Sequence, residues 1–289
     1  MSSSPAPNLM IEVARPDERA AALALLSGTA DDAPGHTYDG LLVARRDGRL
    51  VGAIWAQRYG TGGELWPPRS ADGEPAITKR ALLRAAVDCL ARSGVSLVQT
   101  VIRPDEADAA LWQAEGFEHL ATLDYLTCDL DRIAVASLPG ELEFEPYDAG
   151  NRPRLAEVVR RSYVGTLDCP RLNGRRDTAD VLAEYQAIGR FDPARWSIVC
   201  AQERDVGCLI LSEPLDPAAW ELTYMGLVPE ARGRGWGLQI VRYAQRLARR
   251  ACCRRIVLAV DQANVPARRV YESAGFIGWD QREAWLRFF

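Results

Sequence analysis

Val228-Pro229-Glu230-Ala231-Arg232-Gly233-Arg234-Gly235-Trp236-Gly237 is the stretch on which the reading of this chain turns. It lies between residues 222–228, whose composition reads as a strand, and 238–249, whose apolar spacing reads as a helix. Three glycines in five positions let backbone N–H groups approach a ligand that side chains would hold away. The first turn of the helix supplies unpaired donors and a partial positive charge, and Arg232 and Arg234 add formal charge. Together these suit a phosphate or pyrophosphate. A Gly-rich turn with no ligand is the plain alternative. Two familiar phosphate loops do not fit. The fingerprint G-x-G-x-x-G ends on Leu238 if started at Gly233 and on Ile240 if started at Gly235. A nucleoside triphosphate loop needs Gly-Lys-Ser/Thr, and the one lysine is Lys79.

Outward from the loop, the chain reads as one plan used twice. In the first half, strand 10–14, helix 16–26, a hairpin of 41–44 and 50–56, helix 77–92, strand 96–102, helix 106–115 and strand 120–130 follow in order. In the second half come strand 142–146, helices 151–162 and 177–188, strands 196–201, 206–211 and 222–228, and helix 238–249. Strand 255–260, helix 266–273 and strand 277–289 complete it. Leu90-Ala91-Arg92 and Leu247-Ala248-Arg249 end the long helices of the two halves, 157 residues apart. Glu115-Gly116-Phe117 and Ala274-Gly275-Phe276 recur 159 residues apart. The expected organisation is a flexible lead (1–8), a first α/β domain (9–134), a small-residue linker (135–140) and a second domain of the same type (141–289).

Composition bounds the function. The 289 residues are enough for two domains. No apolar run approaches the roughly 18 residues that span a bilayer, and residues 1–8 have no signal-peptide pattern, so a membrane role is not expected and the compartment reads as cytoplasmic. The seven cysteines are scattered and odd in number, with neither a disulfide framework nor a zinc pattern. The two histidines, His36 and His119, both lie in the first half, which removes a His-based metal or triad site from the second; no metal is expected. The net charge of −4 gives no broad grip on nucleic acid. Residues 1–139 carry 13 basic and 19 acidic side chains and residues 140–289 carry 22 and 20, so the second half repels a polyanion less.

The loop resembles the acetyl-CoA signature Q/R-x-x-G-x-G/A of the GNAT superfamily of N-acetyltransferases, with Arg232, Gly235 and Gly237 at its fixed positions. Downstream, Asn264-Val265-Pro266-Ala267-Arg268-Arg269-Val270-Tyr271-Glu272-Ser273-Ala274-Gly275-Phe276 resembles the superfamily's second signature, N-x-x-A-x-x-x-Y-x-x-x-G-F. Two signatures in the right order are far more specific than either alone. The resemblance is strong over about 142–289 and holds in outline over the first half. It implies an α/β fold with a mixed sheet, as two tandem GNAT-like domains, an architecture that occurs in the superfamily. It also implies acetyl-CoA as cosubstrate and direct attack on the thioester by an amine.

Residue by residue, the resemblance implies that amides of the Gly233–Gly237 stretch, with Arg232, Arg234 and Trp236, hold the pyrophosphate. It implies that the strand ending Gly226-Leu227-Val228 splays from its neighbour and pairs with the pantetheine arm, Gly226 suiting a bulge or a close approach. A backbone N–H near Leu227 would polarise the thioester carbonyl. Asn264 would hold the arm, or simply cap its helix. Glu221 takes the position of a general base, an exposed strand residue being its alternative. Tyr271 takes that of the acid for the leaving thiolate, with core packing as the alternative. Residues 162–176, with Asp168 and Asn173, would shape the acceptor pocket. Asp168 would attract an amine or, alternatively, hold a surface turn. Cys169, Cys200 and Cys208 offer a thiol route, although free cysteines are commonly buried small hydrophobes. In the first half no Gly-x-Gly precedes helix 77–92, and Trp112 stands where Tyr271 stands in the second. Indole cannot protonate a thiolate, so that half reads as having lost the site.

The acceptor stays open at this stage: an amino acid derivative, a polyamine, an aminoglycoside-like compound or a peptide N-terminus all fit. So do two other activities, an inactive CoA-binding sensor or scaffold and transfer from a longer acyl-CoA or to an oxygen nucleophile.

Overall fold

A computed structural model describes residues 8–27, 38–106, 108–133, 140–214 and 218–289. The expected lead and linker lie outside these apart from Asn8 and Gly140. The chain forms two compact units, one of residues up to Leu120 together with Glu283–Phe289, the other of Ala121–Arg282.

The first unit contains β1 (Leu9–Val13), α1 (Arg19–Ser27), β2 (Leu41–Arg46), β3 (Arg49–Tyr59), β4 (Gly62–Ser70), α2 (Ala76–Arg92), β5 (Leu97–Ile102) and α3 (Ala109–Ala114). Its strands run in the order β1-β2-β3-β4-β5. All pairs are antiparallel except β4 with β5. Strand β2 is apolar from Leu41 to Ala44 because both of its faces are covered there. Leu41 and Val43 pack with Leu23 of α1, and Leu42 and Ala44 with Leu82 and Leu83 of α2.

The second unit is built the same way. It holds most of β6 (Glu118–Asp129), then β7 (Glu143–Pro146), α4 (Arg152–Ser162), α5 (Thr178–Ala187), β8 (Trp196–Ala201) and β9 (Arg204–Ser212). There follow β10 (Ala219–Leu227), α6 (Trp236–Arg250), β11 (Arg255–Asp261), α7 (Val265–Ser273) and the start of β12 (Ile277–Phe288). Along β9, Leu209 and Leu211 enter the core under α6, while Cys208 and Ile210 enter the core under α4 and α5.

Two features differ from the sequence reading. Strand β4 was not expected, because Pro67-Pro68 cannot donate to a ladder. The β3–β4 register slips between Ala53 and Trp55, so both prolines fall opposite Ile54, where the ladder is already interrupted. The closing strands also pair differently. Strand β6 runs antiparallel to β11, from Leu123 opposite Asp261 to Asp129 opposite Arg255. The end of β12, Glu283–Phe288, runs antiparallel to β5. Each unit is therefore completed by a strand from the other half of the sequence. An alternating apolar strand such as β6 states which face is buried and leaves its pairing partner open.

Candidate active site

Strands β10 and β11 pair in parallel from Ala219 opposite Arg255 to Glu221 opposite Val257, and no further. Beyond Glu221, β10 stays on β9 and β11 stays on β6. The two strands part, leaving a fork. A register shift between Leu222 and Tyr224 bulges Thr223 at the mouth. In the fork lies a cavity of about 410 Å³, walled by β10 from Leu222 to Leu227, by Arg232, Gly233 and Gly235–Gly237 of the loop, by the start of α7, by Ser162 at the end of α4 and by Gly165–Asp168 after it.

The loop sits at the N-terminus of α6. Gly233 and Gly235 have φ of +76° each, and a Cβ at either would meet nothing within 4 Å. Conformation, not space, demands glycine there. No side chain caps α6, so its first-turn amides remain available to an anion. A Cβ on Gly237 would make ordinary contact with Val270 at 3.6 Å, so the fold itself tolerates a methyl at that position. Gly226 differs: a Cβ there would lie 2.6 Å from Ser162 Oγ. Its close neighbour is helix α4, and the bulge falls three residues earlier.

Arg232 lines the cavity, but its guanidinium is engaged. It donates to the carbonyls of Leu227 (3.2 Å), Gly165 (3.1 Å) and Ser162 (2.8 Å). It thereby closes the C-terminal end of α4, where carbonyls lack helical partners. Arg234 is exposed and stacks over Trp236, whose indole N–H donates to Glu141. Leu227 lines the cavity, whereas Val228 is wholly buried in the α6 core. Asn264 lines the cavity and caps α7, its Oδ1 accepting the Ala267 N–H at 3.3 Å.

Tyr271 also faces the cavity. It is 6% exposed and packs against Phe276 at 5.7 Å between centroids. Burial, and then the charge of Asp168, raise its phenol well above the usual range and hold it protonated. Glu221 stands at the last paired position of the fork. Burial raises its carboxyl. Alternation along β10 turns it away from the face that Trp220 and Leu222 present to the α6 core, and it does not line the cavity.

Of the two acceptor candidates, Asp168 lies on the cavity wall. Asn173 is exposed, ends a short helical turn and lies off the cavity. Asp168 Oδ1 accepts the N–H of Asp261 at 3.1 Å, and Asp261 Oδ2 accepts the N–H of Cys169 at 3.2 Å. The thiol route loses ground. Burial pushes Cys169 and Cys208 up to about 12 and Cys200 to about 11, away from the thiolate that a nucleophile requires. Sequence reasoning missed the hydroxyl pair of Ser162 and Tyr224, 2.8 Å apart on the cavity wall, and the Asp168–Asp261 clasp. Both join residues far apart in the chain and leave no local pattern. Among the described residues no acidic, cysteine and histidine cluster could hold a metal ion, and no helix is long and apolar enough to cross a membrane.

Residues 162–276 match the model of the acetyltransferase (GNAT) family. No curated protein matches the sequence. Among solved structures, a GCN5-related N-acetyltransferase from Sphaerobacter thermophilus is similar at TM-score 0.71 and 16% identity, covering 97% of this chain and 95% of that one. A GCN5-related glucosamine N-acetyltransferase region of a fungal multi-domain GH3 β-N-acetylglucosaminidase is similar at TM-score 0.67 and 16% identity, over 97% of this chain and 38% of that one. A tandem GNAT protein from the clavulanic acid biosynthesis pathway is similar at TM-score 0.58 and 16% identity, over 97% and 98%. The fold is thus that of GNAT acetyltransferases, including a tandem one.

Proposed function

We propose, on the premise that residues 162–276 are a domain of the GNAT acetyltransferase family, that the protein moves an acetyl group from acetyl-CoA to an amine acceptor. The observation that carries this is the forked cavity, with an uncapped helix N-terminus in its wall and Tyr271 facing into it. The chemistry of the walls fits the cosubstrate. Amides of Gly233–Gly237 suit a pyrophosphate, and the unpaired edge of β10 beyond Glu221 suits the amide-bearing arm. Bound there, acetyl-CoA supplies an activated acyl group, and the protein's own residues do the rest.

Leu227 and its neighbours present backbone donors to the thioester carbonyl. Glu221, whose raised basicity suits proton abstraction, takes a proton from the acceptor ammonium through water, because its carboxyl lies off the cavity. Tyr271, kept neutral by burial, donates its proton to the departing thiolate. Asp168 draws the ammonium into the cavity. Holding both reactants in one cleft supplies much of the rate without a covalent enzyme intermediate.

The test is calorimetric titration of the full chain with CoA and acetyl-CoA, followed by thiol release across an amine library. Tight binding with amine-dependent thiol release is the expected result. Binding without turnover assigns a sensor or scaffold module instead. Mass spectrometry of the products separates acetyl from longer acyl transfer and N- from O-acylation.

A further inference from the structure

Among the described residues that wall the cavity, one is acidic, Asp168, and one is basic, Arg232. Their situations are opposite. Arg232 directs its guanidinium at three backbone carbonyls of the protein itself. Asp168 accepts one hydrogen bond at Oδ1, from the N–H of Asp261, and its other oxygen accepts none. Asp261 does not line the cavity, and each of its oxygens already accepts a backbone N–H, that of Ala263 at Oδ1 and that of Cys169 at Oδ2. The cavity therefore presents one carboxylate oxygen without a partner, and no cation with a free hand. Asp168 is exposed as a residue, and a carboxylate on a cavity wall with one oxygen free can take a charge-assisted hydrogen bond from a positive ligand. Asp168 and Tyr271 both line this cavity. A second carboxylate arriving on the ligand would meet Asp168 with nothing to neutralise it.

Resting on the acetyl-transfer reading above, we propose that the acceptors are cationic amines with no free carboxylate on the carbon that bears the reacting nitrogen, selected by the unpartnered oxygen of Asp168. Amines, amino sugars and peptide N-termini belong to this class, and free α-amino acids are excluded from it. The contact is an ammonium–carboxylate hydrogen bond formed on binding, so the selection acts chiefly on KM.

The experiment compares matched acceptors with the full-length protein: alanine, phenylalanine and arginine, each against its carboxamide, with acetyl-CoA saturating. The carboxamide of each reactive pair is expected to show at least tenfold higher kcat/KM. Asp168→Asn keeps an oxygen for the Asp261 N–H and removes the charge. It is expected to raise KM for the carboxamides at least tenfold, to leave CoA affinity and the melting temperature unchanged, and to erase the preference within each pair. Asp168→Glu restores part of the preference. Amino acids reacting as well as their carboxamides, or an Asp168→Asn enzyme that keeps the preference, overturns this inference and leaves acetyl transfer standing. No uptake of CoA, or uptake with no turnover of any amine, overturns the acetyl-transfer reading itself.

Discussion

The two units contain the same fork and finish it differently. In the first, β4 and β5 pair from Gly62 opposite Leu97 to Glu64 opposite Gln99, and then pairing stops. In the second, β10 and β11 stop at Glu221 opposite Val257. Glu64 and Glu221 thus end equivalent ladders, and burial alone raises both carboxyls. Past this point the forks diverge. In the first unit the residues after the last pair include Pro67-Pro68, which have no N–H to offer, and the Thr100 hydroxyl donates across the gap to the Leu65 carbonyl at 2.8 Å. In the second unit the strand keeps its donors, the bulge falls on Thr223, and the gap opens as a cavity. The glutamate at the fork is thus common to both units, and what distinguishes them is the donors beyond it and, in the second, the cavity.

The largest expected effect breaks the second fork at its anion loop. Gly235→Glu forces a side chain into left-handed backbone, at about 1–2 kcal/mol, and sets a carboxylate beside the pyrophosphate, at about 4 kcal/mol. The strain lowers stability with or without ligand, and the repulsion alone amounts to about a 10³-fold loss of CoA affinity, read by calorimetry. Tyr271→Phe comes next. It removes the proton donor and lowers kcat about 10²-fold while leaving CoA affinity nearly intact. Its counterpart in the first unit, Trp112→Phe, leaves turnover unchanged. Trp112 is 2% exposed against Phe117, so that variant lowers stability by about 1–3 kcal/mol in a denaturant melt. Unchanged kcat in Tyr271→Phe takes Tyr271 out of the chemistry.

The paired glutamates sharpen the comparison through pH. A base works deprotonated, so kcat rises as pH climbs through the raised value of Glu221 and levels above it. Glu221→Gln removes that limb and lowers the plateau roughly tenfold or more; Glu64→Gln changes neither. Stability separates them from the other side. Folding raises the Glu64 carboxyl, so the folded state binds more protons than the unfolded one, and the wild type loses stability as pH rises from the unfolded value through the folded one. Glu64→Gln escapes that loss. It melts higher than wild type near pH 8 and equal to it near pH 4.

The fork itself was legible only in part. The loop and the order of elements could be read because each is a local pattern: Gly-x-Gly before a helix, and apolar spacing. Strand β4 was not legible, because a proline pair reads as a break unless a bulge absorbs it. Nor were the exchanged partners of β6 and β12, which depend on a distant sheet edge. Gly226 reads as suiting a bulge or a close approach, but the bulge falls at Thr223 and the near neighbour of Gly226 is Ser162 of α4. Arg232 was read as ligand charge, yet its donors reach Ser162, Gly165 and Leu227, which no local pattern announces.

The smallest effect concerns what seals the first fork. Thr100 is fully buried, and its hydroxyl reaches the Leu65 carbonyl one residue beyond the last backbone pair, so a side chain takes over where the ladder ends. Valine has nearly the same shape and no donor. Thr100→Val leaves the Leu65 carbonyl without that partner and lowers stability by about 1 kcal/mol, with kcat and CoA affinity unchanged. In the second unit the residue just past the last pair on β11 is Leu258, apolar and packed in the core, so no hydroxyl is available there to cross the gap. If Thr100→Val melts like wild type, the hydroxyl does not hold the first fork shut, and the difference between the two forks past their last pairs rests on the two prolines.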